Sequence, residues 1–136
     1  LRQVADREHV EQPVVGLGAG ADLHAANLSG TNLFEASLND ANLSQCNLRD
    51  ANVHGADLRG CRLNQADIRR ADLRGVNLNV SDLVKADLRG AKLEGAKLLG
   101  ANLSQADLSG TEGAGAALEQ AKSLEGATMP DGKIHE

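Results

Sequence analysis

Four histidines and two cysteines are among the side chains of this 136-residue chain that could ligate a metal or act as a nucleophile. His9 and His135 lie in the end segments, and the remaining histidines and cysteines form no Ser/His/Asp or Cys/His arrangement. Asp residues are numerous, but they recur at a fixed spacing and serve a structural pattern. The glycines recur at turn spacing, and none opens a long helix as a phosphate-binding loop does. We therefore predict no catalytic site, no cofactor and no metal site.

The pattern that positions these residues is a unit of five, Ala-(Asp/Asn)-Leu-X-X, which fills residues 21–110 eighteen times without an insertion. Leu holds the central position in sixteen units, with Val53 and Ile68 as the exceptions. A small residue lies two positions earlier and is Ala in thirteen units, and Asp or Asn lies between the two in fourteen. The small position is otherwise held by Thr31, Cys46, Cys61, Val76 and Ser81.

A period of five fits neither regular element. On an α-helix, five residues advance the chain by about 500°, so the leucines would spiral around the whole surface. On a continuous strand, an odd period sends successive leucines to opposite faces. The chain must therefore bend once per unit, so that each pentapeptide forms one side of a coil with Leu and Ala inside. Gly ends eight of the units and suits such a turn, and Asp or Asn before the Leu can bond nearby backbone amides.

Units such as Ala56-Asp57-Leu58-Arg59-Gly60 and Ala86-Asp87-Leu88-Arg89-Gly90 resemble the pentapeptide repeat family. The resemblance covers about two thirds of the chain, in eighteen consecutive units. It implies an all-β solenoid, namely a right-handed quadrilateral parallel β-helix with four pentapeptides per coil. Eighteen units would then make about four and a half coils.

On such a coil, residues twenty positions apart lie directly above one another, which decides where the reactive side chains lie. His24 and His54 point from opposite sides and cannot share a metal ion. Cys46 and Cys61, three units apart, lie on different sides. We expect both to be buried, reduced thiols that act as small apolar residues.

The same stacking places Arg49, Arg69 and Arg89 in one column, with Arg70 beside them. This stripe could bind an anion or an acidic partner. The alternative is a solvated, salt-bridged surface, because the carboxylates of Asp50, Asp67 and Asp87 lie on the same face.

Three apolar residues, Val80, Val84 and Leu99, occupy outward positions near one corner late in the array. Such a cluster could be a contact patch for a partner or a homodimer. The alternative is that they are scattered apolar surface residues, which are common. Phe34 also points outward, and we expect it to pack under the N-terminal segment.

The sequence divides into a leader or cap at 1–20, the repeat array at 21–110, and a cap and tail at 111–136. Leu1–Gln12 is predicted to be a short amphipathic helix before Pro13. Ala114–Leu124 is rich in helix formers and is predicted to contain a short capping helix. The alternative is one more distorted coil, because spacing five resumes with a one-residue shift at Leu124, Met129 and Ile134. The tail is similar to the C-termini of cyanobacterial pentapeptide repeat proteins.

Charge and composition limit the partners and the compartment. The net charge is −5, but the array itself carries eleven acidic against ten basic residues. A neutral array with a single aromatic residue, Phe34, disfavours nucleic-acid binding. No run has the length of a membrane span and no signal peptide is visible. Because the chain begins with Leu1, we expect a fragment or processed form, in the cytoplasm by default, or in the periplasm or thylakoid lumen if a leader was removed.

The leading functional hypothesis is a non-enzymatic scaffold or interaction module that binds an unidentified protein. Its dimer, if one forms, would use an end of the array or the late apolar corner. The second hypothesis, implied by the resemblance, is a DNA mimic that inhibits DNA gyrase; that branch has a strongly acidic surface and central Phe residues, and this chain departs from both. The third, an acyltransferase of the short-repeat β-helix type, needs a histidine in a cleft, and none is so placed.

Overall fold

The computed structural model describes residues 18–136, so the predicted helix at Leu1–Gln12 lies outside the described residues. From Asp22 onward the chain winds as a coil. Isolated parallel β-bridges join residues twenty positions apart, as in Asp22–Asn42 and Asn42–Arg62. Four pentapeptides therefore make one coil, and each contributes a single bridge residue rather than an extended strand.

The bridges define four sides, each named here by the residues of its bridge column. Side 1 contains residues 22, 42, 62, 82, 102 and 123, and side 2 contains 27, 47, 67, 87, 107 and 128. Side 3 contains residues 32, 52, 72, 92 and 112, and side 4 contains 37, 57, 77 and 97.

Each corner of the coil is a β-turn. The Leu carbonyl accepts a hydrogen bond from the amide three residues later, for example Leu23 from Ala26 at 3.0 Å. The second of the two residues between them has a positive φ in all eighteen units. Only eight of these eighteen residues are Gly. The other ten adopt the left-handed conformation despite its steric cost.

Asp and Asn stabilise this bend locally, as their spacing predicts. The side-chain oxygen accepts a hydrogen bond from the amide two residues later, as Asn47 Oδ1 does from Arg49 N at 3.0 Å. This is an Asx turn, which fixes the backbone before the corner.

The interior is filled by the two apolar residues of each unit. Leu28, Leu38 and Leu83 are fully buried, as are Ala41 and the equivalent small residues higher in the array. Successive leucines on one side form ladders about 4.8 Å apart, the spacing of hydrogen-bonded strands. The predicted inside and outside positions of the unit are thus confirmed.

The C-terminal segment combines the two alternatives. The helix, α1, is confined to Gly115–Leu118 and buries Leu118. It adds one residue to the coil, because the next bridges are Asn102–Ser123 and Asp107–Thr128, each spanning twenty-one positions. Thr128 then pairs antiparallel with Ile134.

At the other end, coil geometry begins before the predicted boundary at residue 21. The Gly20 amide donates to the Asn39 carbonyl at 2.9 Å, and Gly20 has a φ of +73°. Both features match the corner residues above it. Gly18–Ala21 is therefore already a turn of the solenoid.

Candidate interaction surfaces

The predicted arginine column lies on side 2, where the guanidinium groups of Arg69 and Arg89 each bind an aspartate of their own unit. Arg69 donates from Nε and a terminal nitrogen to the two Asp67 oxygens at 2.9 and 2.8 Å. Arg89 binds both oxygens of Asp87 in the same way. The two residues of each pair are neighbours on the outer face because a single inward Leu or Ile separates them.

The aspartates also link one coil to the next. Asp67 Oδ2 lies 3.6 Å from Arg49 Nε in the coil below. Asp87 Oδ2 lies 3.8 Å from Arg69 Nε, and Asp107 Oδ2 lies 3.8 Å from Arg89 Nε. Side 2 therefore carries alternating positive and negative groups along the solenoid axis.

Arg49 differs from the other two arginines of the column. The residue two positions before it is Asn47, whose oxygen is bound to the Arg49 amide, so the guanidinium has no bidentate partner in its own unit. Within residues 18–136, its ionic contact is the longer one to Asp67 of the coil above. Beside the column, Arg70 pairs with Asp50 of the coil below at 3.0 Å.

These pairs shift the acidities of the carboxyl groups. Hydrogen bonds from Arg69 lower the pKa of Asp67, and those from Arg59 lower the pKa of Asp57. Partial burial alone would raise the pKa of Asp87, but its hydrogen bonds to Arg89 outweigh that effect and lower it. All three carboxylates are thus stabilised in the charged form.

The structure separates the three residues of the predicted apolar patch. Val80 and Leu99 lie in turns at the corner between sides 4 and 1, whereas Val84 lies in the next turn, between sides 1 and 2, because one whole side of the coil separates positions 80 and 84. Val80 and Leu99 on side 4 are 66% and 57% exposed. Val84, on side 1, is half-buried. Shallow hollows of about 310 and 340 Å³ lie on side 4, one beside Val80 and the other beside Leu99.

The histidines lie apart. His24 Nδ1 is 2.8 Å from Ser44 Oγ on side 1, whereas the ring of His54 meets Phe34 edge-on at 5.5 Å on side 3. Phe34 thus has a partner within the array. Across residues 18–136, no group of His, Cys, Asp and Glu side chains is arranged to hold a metal ion. No helix in that range is long and apolar enough to cross a membrane.

Cys46 and Cys61 are both free and buried, on sides 2 and 1. Burial raises the pKa of each thiol to about 12. The Cys61 thiol donates to the Leu38 carbonyl at 2.9 Å. The two cysteines therefore occupy the small position of the unit as predicted.

An apolar groove of about 580 Å³ lies at the C-terminal end of the solenoid. Its lining includes Leu118, Ala121, Leu124 and Met129.

Sequence reasoning missed the Asp-Arg forks, although their signal is simple. An aspartate and an arginine two positions apart flank an inward residue in Asp57–Arg59, Asp67–Arg69, Asp72–Arg74 and Asp87–Arg89. All four pairs are ion pairs in the structure, with the shortest contacts between 2.6 and 2.8 Å.

The family profile for pentapeptide repeats matches the chain in 8 copies, over residues 26–65, 61–98, 71–110 and 86–122. This chain belongs to the pentapeptide repeat family. Proteins of the family form right-handed β-helices and are generally non-enzymatic structural or interaction proteins. No protein of curated function is a significant match to the chain.

Solved structures similar to this pentapeptide repeat protein come from a plant and from cyanobacteria. A pentapeptide repeat protein from the Arabidopsis thaliana thylakoid lumen is 32% identical, with 68% of each chain covered and a TM-score of 0.59. One from the cyanobacterium Cyanothece 51142 is 24% identical over 96% of this chain and 95% of its own, with a TM-score of 0.56. One from Nostoc Pcc 7120 is 35% identical over 72% of this chain and 64% of its own, with a TM-score of 0.50.

Proposed function

We propose that this protein is a right-handed quadrilateral β-helix that acts as a non-enzymatic scaffold and binds a protein partner through its outer faces. The observation that carries the proposal is the exposure of Val80 and Leu99 on side 4. The central residue of every unit is buried, whereas Val80 and Leu99 are large apolar residues at outward positions and are more exposed than Phe34. Exposed apolar clusters on a rigid surface are typical of protein contacts.

The arginine column supplies a second contact in this proposal. Carboxylates within 3.0 Å hold the guanidinium groups of Arg69, Arg70 and Arg89. The positive charges of these three residues are therefore already neutralised by aspartates of the same surface. Arg49 has the weakest carboxylate contact of the four, so an acidic group of the partner would bind there first.

Affinity capture from the source organism tests the proposal. Wild-type protein should retain a partner that the double variant V80S/L99S loses. Charge reversal at Arg49, Arg69 and Arg89 in the otherwise wild-type protein should also weaken retention of that partner. The matched control is Phe34→Ser, which alters an exposed apolar residue on side 3. Equal retention by all variants would contradict the proposed surface. Turnover of an acyl or phosphoryl donor that is abolished by mutation of His24 or His54 would contradict the non-enzymatic role.

No feature of the described faces favours the alternative of a gyrase-inhibiting DNA mimic. Such a mimic presents continuous negative charge, whereas positive and negative groups alternate on side 2. Inhibition of gyrase supercoiling at micromolar protein would overturn this choice. For the compartment, the similarity to a thylakoid-lumen protein supports the lumen as an alternative to the cytoplasm.

A further inference from the structure

The helix α1 interrupts side 4 of the solenoid. The bridge columns of the other three sides continue past residue 110, whereas the column of side 4 ends at Lys97. Ala117 lies twenty positions after Lys97 and would continue the column, but it belongs to the helix Gly115–Leu118. The upper edge of side 4, at residues 96–98, is therefore not paired with another coil.

Three backbone groups on this edge have no hydrogen-bond partner within residues 18–136. Every other central residue of the array donates its amide to the next coil, but Leu98 does not. Gly95 is likewise the one corner residue of units 21–110 whose amide is not bonded to the coil above. The third group is the Ala96 carbonyl, which lies between these two amides and accepts no amide from the next coil.

The helix takes the acceptor that this edge would otherwise use. The Gly75 amide donates to the carbonyl nineteen positions later, and the equivalent acceptor for Gly95 is the Ala114 carbonyl. That carbonyl accepts the Leu118 amide of α1 instead, at 2.9 Å. The backbone of α1 also stands away from the column. A Cβ on Gly95 would lie 3.8 Å from the Gly75 nitrogen, whereas a Cβ on Gly115 would have no atom of the coil below within 4 Å.

The open edge faces a hollow of about 340 Å³. Leu98 is 2% exposed and Ala96 is 8% exposed, compared with 1% for Ala56 in the same column. Residues 96–99 line the hollow on one side, and Ala116, Ala117 and Gln120 line it on the other. Backbone groups that are nearly buried and unpaired cost stability, so a ligand with the complementary donor and acceptor is bound favourably there.

We propose that an extended segment of a partner protein adds to this edge as a parallel strand. The bridge one coil below gives the pattern, because Lys97 donates to the Val76 carbonyl at 2.9 Å and accepts the Leu78 amide at 2.8 Å. One residue of the partner segment then donates to the Ala96 carbonyl and accepts the Leu98 amide in the same way. Strand addition of this kind derives its affinity from main-chain hydrogen bonds. The inference rests on the proposed function, because it names the kind of partner that the apolar face of side 4 binds.

Side chains at the edge select the segment. Alternate residues of a strand point the same way, so the partner residue that is bonded to Ala96 and Leu98 points outward above Lys97. Lys97 is exposed and has no ion-pair partner within residues 18–136, so a carboxylate complements it. Two residues later, the partner side chain lies above Leu99, which is 57% exposed, and an apolar group covers it. The residue between them is small, because the buried Leu118 already fills the end of the interior.

The site is much smaller than a standard protein interface, so a short peptide should bind it with a dissociation constant of roughly 1 mM. Two-dimensional NMR of the full chain, titrated to about 5 mM with the peptide acetyl-Ala-Asp-Ala-Leu-amide, measures this binding. The Leu98 amide resonance should shift downfield as its hydrogen bond forms. The Leu93 amide, already bonded to the Glu112 carbonyl at 2.8 Å, is the internal control and should not move. An unchanged Leu98 resonance, or shifts confined to Val80 and Leu99, would overturn strand addition.

Two altered peptides test the backbone and the charge separately. N-methylation of the Asp amide removes the donor for the Ala96 carbonyl and should weaken binding at least about fivefold. Replacing Asp by Lys should also weaken binding to wild type, whereas Lys97→Glu should reverse the preference between the two peptides. Lys92→Glu is the matched control, because Lys92 holds the same position on side 3, where Glu112 already forms the bridge above it. Equal affinity of wild type for all three peptides would overturn the register, and this comparison needs no protein variant to fold.

The outcomes separate this inference from the proposed function. A protein that captures a partner through Val80 and Leu99, yet shows no peptide-dependent shift at Leu98, would sink strand addition and leave the proposed function standing. Conversely, peptide binding at Leu98 combined with equal capture by wild type and V80S/L99S would support the edge as a strand-binding site and contradict the proposed contact surface.

Discussion

Asn79 Oδ1 accepts a hydrogen bond from the Leu99 amide, which lies in the coil above it, at 2.9 Å. In most units this amide is bound by the Asp or Asn two residues earlier, but here that residue is Lys97, which has no acceptor. The side chain of the neighbouring coil thus replaces the missing Asx turn. The hydrogen bond that the unit of Lys97 lacks is therefore supplied by a side chain of the coil below.

We expect Asn79→Ala to lower the free energy of unfolding by about 0.5–1.5 kcal/mol, the usual net value of one hydrogen bond. Asn64→Ala is the matched control, since Asn64 is a half-exposed residue at the same position of its unit and its side chain has no hydrogen-bond partner within residues 18–136. In a Lys97→Asn background, which restores the local acceptor, Asn79→Ala should cost less. Urea unfolding of wild type and of these four variants checks this, and equal losses at Asn79 in both backgrounds would refute the compensation.

The leucine ladders predict a sharp contrast between adjacent residues of one unit. Leu73 is 1% exposed, so Leu73→Ala should lower the free energy of unfolding by about 2–5 kcal/mol through lost burial and a residual cavity. Arg74→Ala should cost under about 1 kcal/mol, because the Arg74–Asp72 pair lies on the surface. Chemical denaturation gives both values, and the reverse order would disprove the inside–outside assignment.

Much of the fold could be predicted because every unit repeats one physical requirement. A large and a small apolar residue fill a narrow interior, and a turn follows them, so the period of five alone indicates a coil. The end segment was harder, because helix propensity and the five-residue period compete there. The chain satisfies both, with α1 at Gly115–Leu118 and a coil displaced by one residue after it.

The candidate surfaces could be predicted only in part. Sorting residues by twenty places Arg49, Arg69 and Arg89 correctly in one column, since that depends on the backbone alone. Which oxygen each guanidinium binds depends on side-chain conformation across two coils, and the sequence has no direct record of it. The hollow beside Val80, which Asp40, Arg59 and Gly60 also line, is likewise visible only in three dimensions.

Two threonines in the same column of the core test the cost of an unpaired hydroxyl. Thr31 Oγ1 is buried and has no hydrogen-bond partner among residues 18–136, whereas Thr111 Oγ1 donates to the Leu108 carbonyl at 2.9 Å. Thr31→Val should therefore raise the free energy of unfolding by about 1 kcal/mol, while Thr111→Val should lower it or leave it unchanged. Thermal and urea unfolding provide the comparison, and a loss of stability in Thr31→Val would show that its hydroxyl is bonded in solution.

Acid should destabilise the protein through the Asp-Arg forks. The pKa values of Asp57, Asp67, Asp72 and Asp87 are lowered in the folded state. A lowered folded pKa contributes stability above the unfolded value near 3.9, and that stability is lost as the pH falls through the folded pKa. We therefore expect the free energy of unfolding to decline from about pH 5 to pH 2.

Asp67→Asn isolates one fork, because the amide oxygen keeps the Asx turn while the charge is removed. Its decline with acid should be shallower than that of wild type. Asp82→Asn is the control, since Asp82 accepts the Val84 amide at 3.0 Å but has no ion-pair contact with an arginine within residues 18–136. Urea unfolding at several pH values measures how the free energy of unfolding changes with pH. Parallel curves for wild type and Asp67→Asn would show that the Asp67–Arg69 fork does not cause the loss of stability in acid.

The two thiols should report on global unfolding. Burial raises the pKa values of Cys46 and Cys61 to about 12 from 9.0, so almost no thiolate exists at neutral pH. We expect neither thiol to react with a chromogenic disulfide in the native protein, and both to react in denaturant. In native buffer the slow labelling rate should follow the opening of the stack, and therefore rise in Leu73→Ala but not in Arg74→Ala. A Gln45→Cys variant supplies an exposed thiol as the positive control, and native thiols that react as fast as this one would show that the solenoid opens far more readily than its buried ladders imply.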